Sequence, residues 1–390
     1  MEDTCAQAKQ YCRSKIRLTV VQLVLTAAFL IVMVLSGASV FLRDLAKGCS
    51  PNFYLQVSLY LVIFSLIYEL IFIGLDFYGG FLLEHKFGLS SQTVSGWLKK
   101  SLKKGLLSLA LLLAAGEVLY FFLRHFPDHW WLLTMGAWVL FTIVLGKITP
   151  VLIIPLFYKC TPLANKELKE RLLRLSRNCG LRVEQVFEVE LSRDTRKANA
   201  AVAGFGKGRR ILLGDTLLKG RQGQENALEN SGDYSDEEIE AVFAHELGHI
   251  RLFHTWKILT VGALISLVGF YLAHLLFKTS SSFFGIEQIY DIAGFALLAL
   301  IFMLIGLLFM PIQNGLLRYL EKQADLFAVE HMENPRSFAS AMTKLAQQNL
   351  IDPSPSRLVE LLFYDHPPIS KRLGYGNGRQ REAGPMREKS

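Results

Sequence analysis

Residues 235–250 read SDEEIEAVFAHELGHI, and an apolar run begins at residue 258. Ser235 with Glu238 is a capping-box pattern, and Asp236, Glu237 and Glu238 put negative charge where a helix N-terminus is positive. Ile239, Val242, Phe243 and Leu247 recur at helical spacing, so the HELGH pentad belongs to a helix. His245 and His249 are one turn apart and project from one face, as two ligands of one metal ion must. Glu246 stands beside them, placed to take a proton from water in metal-assisted hydrolysis. A segment with this chemistry running straight into a membrane-length apolar segment ties the fold and the reaction together.

The rest of the chain agrees with a membrane setting. It has 390 residues, of which 51% are hydrophobic and 19% charged, with a mean hydropathy of +0.31. That is too apolar for an ordinary soluble enzyme. Six stretches are long and apolar enough to cross a bilayer: 18–42, 54–78, 106–123, 131–148, 258–277 and 292–310. Lys9, Arg13, Lys15 and Arg17 precede the first of them. It is too long for a signal-peptide core and lacks a small-x-small cleavage site, so it reads as a retained helix. The net charge of +8 comes without any nucleic-acid motif, and fits the basic bias of cytoplasmic loops; no nucleic-acid partner is expected. The five cysteines are odd in number and contain no C-x-x-C, so neither a disulfide framework nor a cysteine metal site is expected.

These spans divide the chain into 1–156, a four-span region; 157–257, a peptidase segment carrying HELGH; 258–311, a two-span hairpin; 312–373, a second peptidase segment; and 374–390, a disordered tail. Six spans put both termini, both peptidase segments and the 84–104 loop on one side. That loop holds Lys86, Lys99, Lys100, Lys103 and Lys104, whereas the opposite loops carry chiefly Arg43, Lys47, Arg124 and Lys278. The asymmetry makes the peptidase side cytoplasmic. Glu69, Asp76, Glu117 and Lys147 lie within or near the ends of spans, and face either an internal polar chamber or the interface.

A catalytic zinc has three protein ligands and one open position. NGLLRYLEKQAD, at 314–325, continues the sixth span as a helix, and its Asn314, Arg318, Glu321 and Asp325 share a face. Glu321 is the third ligand on this reading. Asp325, one turn on, is placed to accept the other ring N–H of a ligating histidine or to serve in proton transfer, and Arg318 to balance the carboxylates. His254 lies five residues past His249 and is expected to point away. His274 reads as a core residue, and His85, His125, His129 and His331 as surface ones. Asp365-His366-Pro367-Pro368, with Arg372 beyond, is either a ligand-binding turn or a helix-capping turn. Strand-like runs within 197–213 flank a Gly206-Lys207-Gly208 turn and predict a hairpin. Its edge would pair with an extended substrate, with Asn199 either holding the substrate or merely opening a strand.

Together, EHKFGLSSQT (84–93), ITPVLIIPLFYKCTPL (148–163), NAAVAGFGKGRRILLGDTLL (199–218), AHELGHIRLFHT (244–255), NGLLRYLEKQAD (314–325) and YDHPPISKRL (364–373) resemble the integral-membrane, zinc-dependent CAAX prenyl protease family, type I. The resemblance implies a mainly α membrane protein, its helices enclosing a chamber closed by a cytosolic zincin-like α+β peptidase domain. It implies one zinc ion on His245, His249 and Glu321, with Glu246 as base and Asp325 beside the ligands. It implies that Asn199, His366 and Arg372 position substrate or steady the oxyanion. It also implies cleavage between a lipidated cysteine and the next residue near a protein's C-terminus, in an ER, cell or inner membrane whose lipid surrounds the enzyme. Eukaryotic members add a membrane helix, often carry an aromatic where Ala201 stands, and have a longer insertion where this chain has only 222–236. Two other readings of the same residues are a membrane-protein quality-control metalloprotease and a catalytically silent metal- or lipid-binding scaffold.

Overall fold

The structure, a computed structural model, describes residues 2–183, 185–203, 210–218 and 234–382. Helix α1 (Glu2–Leu35) begins well before the apolar run. Its polar first turns are packed: Ala8 and Tyr11 are buried with Leu83, Phe87, Leu89 and Leu350. The expected span 18–42 is cut at Leu35. Gly37 takes φ 74°, a left-handed conformation open to glycine at little cost. The chain turns there into α2 (Ala38–Cys49), which buries Ser39, Leu42 and Ala46 on one face.

The Asn52 side chain caps α3 (Phe53–Phe77), and a π turn leads on to α4 (Leu83–Lys86). The basic loop is shorter than expected. Thr93 caps α5 (Val94–His125), so Lys99, Lys100, Lys103 and Lys104 sit on its first turns. Next comes α6 (Trp130–Ile148), then a π turn holding Pro150, which has no N–H for the helical ladder, and α7 (Ile154–Phe157). The following segment contains β1 (Cys160–Pro162), α8 (Lys166–Asn178), β2 (Val186–Val189), β3 (Ala200–Ala203), β4 (Arg210–Gly214), α9 (Asp215–Leu218) and α10 (Asp236–Arg251). The hairpin α11 (His254–Ser280) and α12 (Phe295–His331) precedes α13 (Pro335–Gln348), α14 (Arg357–Phe363) and α15 (Ile369–Glu382). Residues 374–382, expected to be disordered, continue α15, whose first turns are anchored by the buried Ile369 and Arg372.

Among the described residues, six helical stretches can cross a membrane: Thr4–Leu35, Phe53–Lys86, Val94–His125, Trp130–Phe157, His254–Phe284 and Ile292–His331. Leu35, Leu70, Leu152 and Leu308 stand uncovered on them, an arrangement that suits lipid tails and not water. One core, with Tyr60, Leu61, Tyr120, Trp130, Phe277 and Ile292, ties the bundle together. A second, with Leu172, Leu213, Phe243, Leu247, Ala328 and Phe338, draws on segments both before and after the α11–α12 hairpin.

The sheet order is β1-β2-β4-β3. β1 is antiparallel to β2, β2 parallel to β4, and β3 antiparallel to β4 in the register Ala200↔Leu213 to Ala203↔Arg210. The expected hairpin strands are thus present, with β3 at the sheet edge. The turn at 206–208, and residues 222–233 of the short insertion, lie outside the described residues.

Candidate active site

Helix α10 carries the pentad and is held at both ends. Ser235 and Glu238 form the expected capping box. Glu238 also accepts from Ser340 Oγ at 2.5 Å and Lys344 Nζ at 2.7 Å, pinning α10 to α13. Burial works against a charge on Glu238, but these donors outweigh it and hold the carboxyl below its ordinary range. At the other end α10 crosses α12 through Gly248. A Cβ there would lie 3.1 Å from Ala324 Cα and 3.2 Å from Phe327 Cδ1. Glycine therefore lets the two backbones approach to a distance no other residue permits without adjustment.

That crossing brings Glu321 to the histidine pair. His245 Nε2 lies 3.1 Å from His249 Nε2. Glu321 Oε2 is 3.3 Å from His245 Nε2, and Glu321 Oε1 is 3.3 Å from His249 Nε2. Ligand atoms on a tetrahedral zinc with bonds of about 2.0–2.1 Å stand about 3.3 Å apart. The buried Glu321 Oε2 has no hydrogen-bond donor of its own. Burial also works against a charge on His245, yet Asp325 and Glu321 outweigh it and push its pKa up to about 10. A field that favours a proton there favours a cation equally. Two nitrogens, a carboxylate, their spacing and the field all fit a metal ion.

Asp325 is fully buried, with Oδ1 2.9 Å from His245 Nδ1. The approach is close but lacks hydrogen-bond angles, so it acts as a charge contact more than a directed bond. Arg372 binds the far side of Asp325 with two bonds, Nε to Oδ2 at 2.8 Å and Nη2 to Oδ1 at 2.6 Å. This changes the expected part for Arg372. Two of its nitrogens are committed to Asp325, and it reaches the ligands through that carboxylate.

His366 sits over the cleft, Nε2 3.3 Å from Glu321 Oε2, with Nδ1 2.8 Å from Asp365 Oδ1. Burial lowers its pKa, but Asp365 and Glu321 outweigh burial and raise it. Arg318 does not balance the carboxylates as expected, and it and Asn314 bind backbone carbonyls instead. Asn314 Nδ2 donates to Leu362 O at 2.6 Å, and Arg318 Nη1 donates to Glu360 O at 2.7 Å and Tyr364 O at 2.5 Å. They satisfy the orphan carbonyls at the end of α14 and so fix the turn that holds His366.

The edge strand β3 runs alongside α10. Gly214 N donates to Asn199 O, so odd-numbered residues of β3 face β4, and Ala198, Ala200 and Val202 turn their backbone groups outward. Val202 N–H donates to Glu246 Oε2 at 3.0 Å. Asn349 donates to and accepts from Ala198, both at 2.9 Å, in the manner of a neighbouring strand. Between these two contacts lies Ala200, with Asn199 exposed next to it. A cleft of about 590 Å³ joins Asn199, Ala200, His245, Glu246, Glu321, His366 and Arg372.

Sequence reasoning missed part of this site. Tyr11, Cys12, Lys15 and Thr19 of α1 line the cleft, because the polar start of that helix docks on the peptidase unit through Glu84. Glu84 pairs with Lys15 at 2.6 Å and with Lys197 of the peptidase unit at 2.8 Å. His254, expected to point away, is also brought in, with Nδ1 3.0 Å from His249 Nδ1. Phe253, at φ 57°, breaks the helix between α10 and α11, so counting 100° per residue from His249 fails there.

Fold and site define a membrane-embedded metallopeptidase. The chain belongs to Peptidase family M48, whose profile matches residues 162–375. A second profile, the CAAX prenyl protease N-terminal region with five membrane helices, matches residues 1–159. The chain is 30% identical over 372 residues to the uncharacterized metalloprotease YhfN of Bacillus subtilis, covering 94% of this chain and 84% of that protein. It is 29% identical to the human CAAX prenyl protease 1 homolog, covering 84% of this chain and 74% of that protein. The crystal structure of S. mikatae Ste24p superposes with a TM-score of 0.77 at 25% identity, covering 96% of this chain and 89% of that one.

Proposed function

We propose that this chain is a zinc endopeptidase that cuts isoprenylated proteins close to their C-termini, at the cytoplasmic face of its membrane. The observation that carries this reading is the meeting, on one cleft wall, of the His245–His249–Glu321 cluster with an edge strand capped at Ala198. A substrate strand running antiparallel to β3 would carry its C-terminal side toward Ala198, where Asn349 already occupies the edge. The cleft thus favours a short tail beyond the cut. Residues 157–257 and 312–373 make up the peptidase unit on this reading, and 1–156 and 258–311 its membrane part.

His245, His249 and Glu321 would hold the ion, which when bound supplies Lewis acidity and a lowered water pKa. Glu246, tethered to Val202 N–H on the substrate edge, takes the water proton and returns it to the leaving amine. Asp325 sets a negative charge against His245 and is itself bound by Arg372. His366, with Nε2 over the cleft, would donate to the developing oxyanion, and Asn199 would bind the substrate backbone.

Lys100 pairs with Asp194 of the peptidase unit, so the basic start of α5 lies on the catalytic side, which supports a cytoplasmic location. Glu69 and Asp76 are uncovered side chains of the span Phe53–Lys86. A charge facing lipid costs several kcal/mol, which favours a watery interior on that side of the span.

The test is cleavage of paired peptides, prenylated and not, by the wild type and by Glu246→Ala. The variant should lose proteolysis and keep its zinc, and the wild type should need the lipid. Full activity in Glu246→Ala would overturn the mechanism. Equal cleavage of unmodified misfolded chains would instead favour a quality-control protease.

A further inference from the structure

The geometry points to His254 as the residue that sets the tautomer and ring angle of His249, in a relay that starts at Gln323. This rests on the metal reading of the His245–His249–Glu321 cluster. A ligating histidine uses one ring nitrogen for the metal and donates the other N–H to an outer partner, which fixes its lone pair. His245 has Asp325 on its Nδ1 side. His249 has another imidazole on that side, His254 Nδ1 at 3.0 Å.

The direction of that bond follows from the far end of the chain of contacts. Gln323 donates from its amide nitrogen to Tyr319 Oη at 3.0 Å, which turns Oε1 the other way. That oxygen accepts from Lys257 Nζ at 3.3 Å and faces His254 Nε2 at 3.2 Å. An amide oxygen only accepts, so His254 Nε2 carries the hydrogen. His254 Nδ1 is then a lone pair and His249 Nδ1 the donor. The lone pair of His249 therefore lies on Nε2, aimed at His245 and Glu321.

The position is built for this. His254 is 1% exposed on a helix whose neighbouring turns stand largely uncovered. It reaches His249 because Phe253 adopts a left-handed backbone, a strained choice for a bulky residue. An unbroken helix would carry the ring elsewhere. The strain is explained if its product, the imidazole pair, has a use.

The test is zinc affinity of the full-length, detergent-solubilised protein, measured by competition with a chromogenic chelator, alongside the absorption spectrum of the cobalt-loaded form. His254→Ala should weaken zinc binding by about ten- to a hundredfold and shift the cobalt bands. His254→Asn, whose amide sits where Nδ1 was, should recover most of the affinity. His254→Gln, whose amide lies farther out, should not. The metal-free melting temperatures of the Asn and Gln variants should match, which separates positioning from packing. Wild-type affinity in all three variants, or equal losses in Asn and Gln, would overturn the assignment. A wild type that binds no zinc would overturn the metal reading itself and the relay with it.

Discussion

Gly248→Ala is the smallest change that should separate the assembly of the site from the stability of the fold. The new methyl carbon would sit 3.1 Å from Ala324 Cα, 3.2 Å from Phe327 Cδ1 and 3.3 Å from Ala324 O. Relaxed carbon contacts are about 3.5–4.0 Å, so α10 and α12 must part by a few tenths of an ångström. Alanine is the better helix former by about 1 kcal/mol. Overpacking a tight crossing costs about 1–3 kcal/mol. The net destabilisation is thus about 0–2 kcal/mol, a shift of a few degrees at most. The effect on the metal site should be larger. Glu321 lies one turn before Ala324, and its contacts to His245 and His249 are both 3.3 Å. A ligand set tolerates about 0.2 Å of error. Zinc affinity should therefore fall about tenfold or more while the metal-free melting temperature moves little. Melting curves with and without zinc, and a chelator competition, read both quantities. Wild-type zinc affinity in Gly248→Ala, or a higher melting temperature with full turnover, would refute the argument that this crossing sets the ligand spacing.

Arg372→Ala should cost about 3–5 kcal/mol, because it strands the fully buried Asp325 charge. Arg372→Lys should fall between; a loss of kcat at unchanged melting temperature would instead make Arg372 an oxyanion donor. The lowered pKa of Glu238 gives a pH dependence with a defined sign. Its contribution is complete above the unfolded value near 4.5 and is lost as pH falls through the lower folded value. Wild type should lose stability relative to Glu238→Gln below that point, measured by melting against pH; parallel curves would dismiss the pairing with Ser340 and Lys344. Asn349→Ala should raise the relative kcat/KM for peptides with long tails beyond the cut, and unchanged tail-length preference would show that the Ala198 cap does not limit the substrate.

What was legible in the sequence was whatever repeats or is local. The period of α10 showed which face the two histidines share, and the polar stripe of α12 singled out Glu321 and Asp325 before any partner was visible. Six apolar runs became six membrane-length helices among the described residues. What stayed hidden depends on single backbone angles or on partners distant in the chain. One left-handed residue, Phe253, moved His254 from the wrong side of the helix to the ring of His249. Another, Gly37, ended the first span early. Arg318 and Asn314 were visible as polar residues on the right face, but carbonyls at 360, 362 and 364 took their donors. Hydropathy found the membrane part of α1 and was blind to its polar start, where Tyr11 and Lys15 do their packing and pairing with Glu84.

The placement of the ligands on two crossing helices has a consequence for how the site comes into being. The first turns of α12 lie in the bundle core with Ala296, Leu297 and Ile301, and its last lie in the peptidase core with Ala328 and Val329. Glu321 and Asp325 sit between them on the same continuous helix. Their position relative to α10 is therefore fixed by helix packing at both ends, which holds geometry more tightly than loops do. It also means that the peptidase segment before the hairpin has only two of the three candidate ligands until α11 and α12 have crossed the membrane and returned. On this architecture the third candidate ligand can join the other two only once the last two spans are in place.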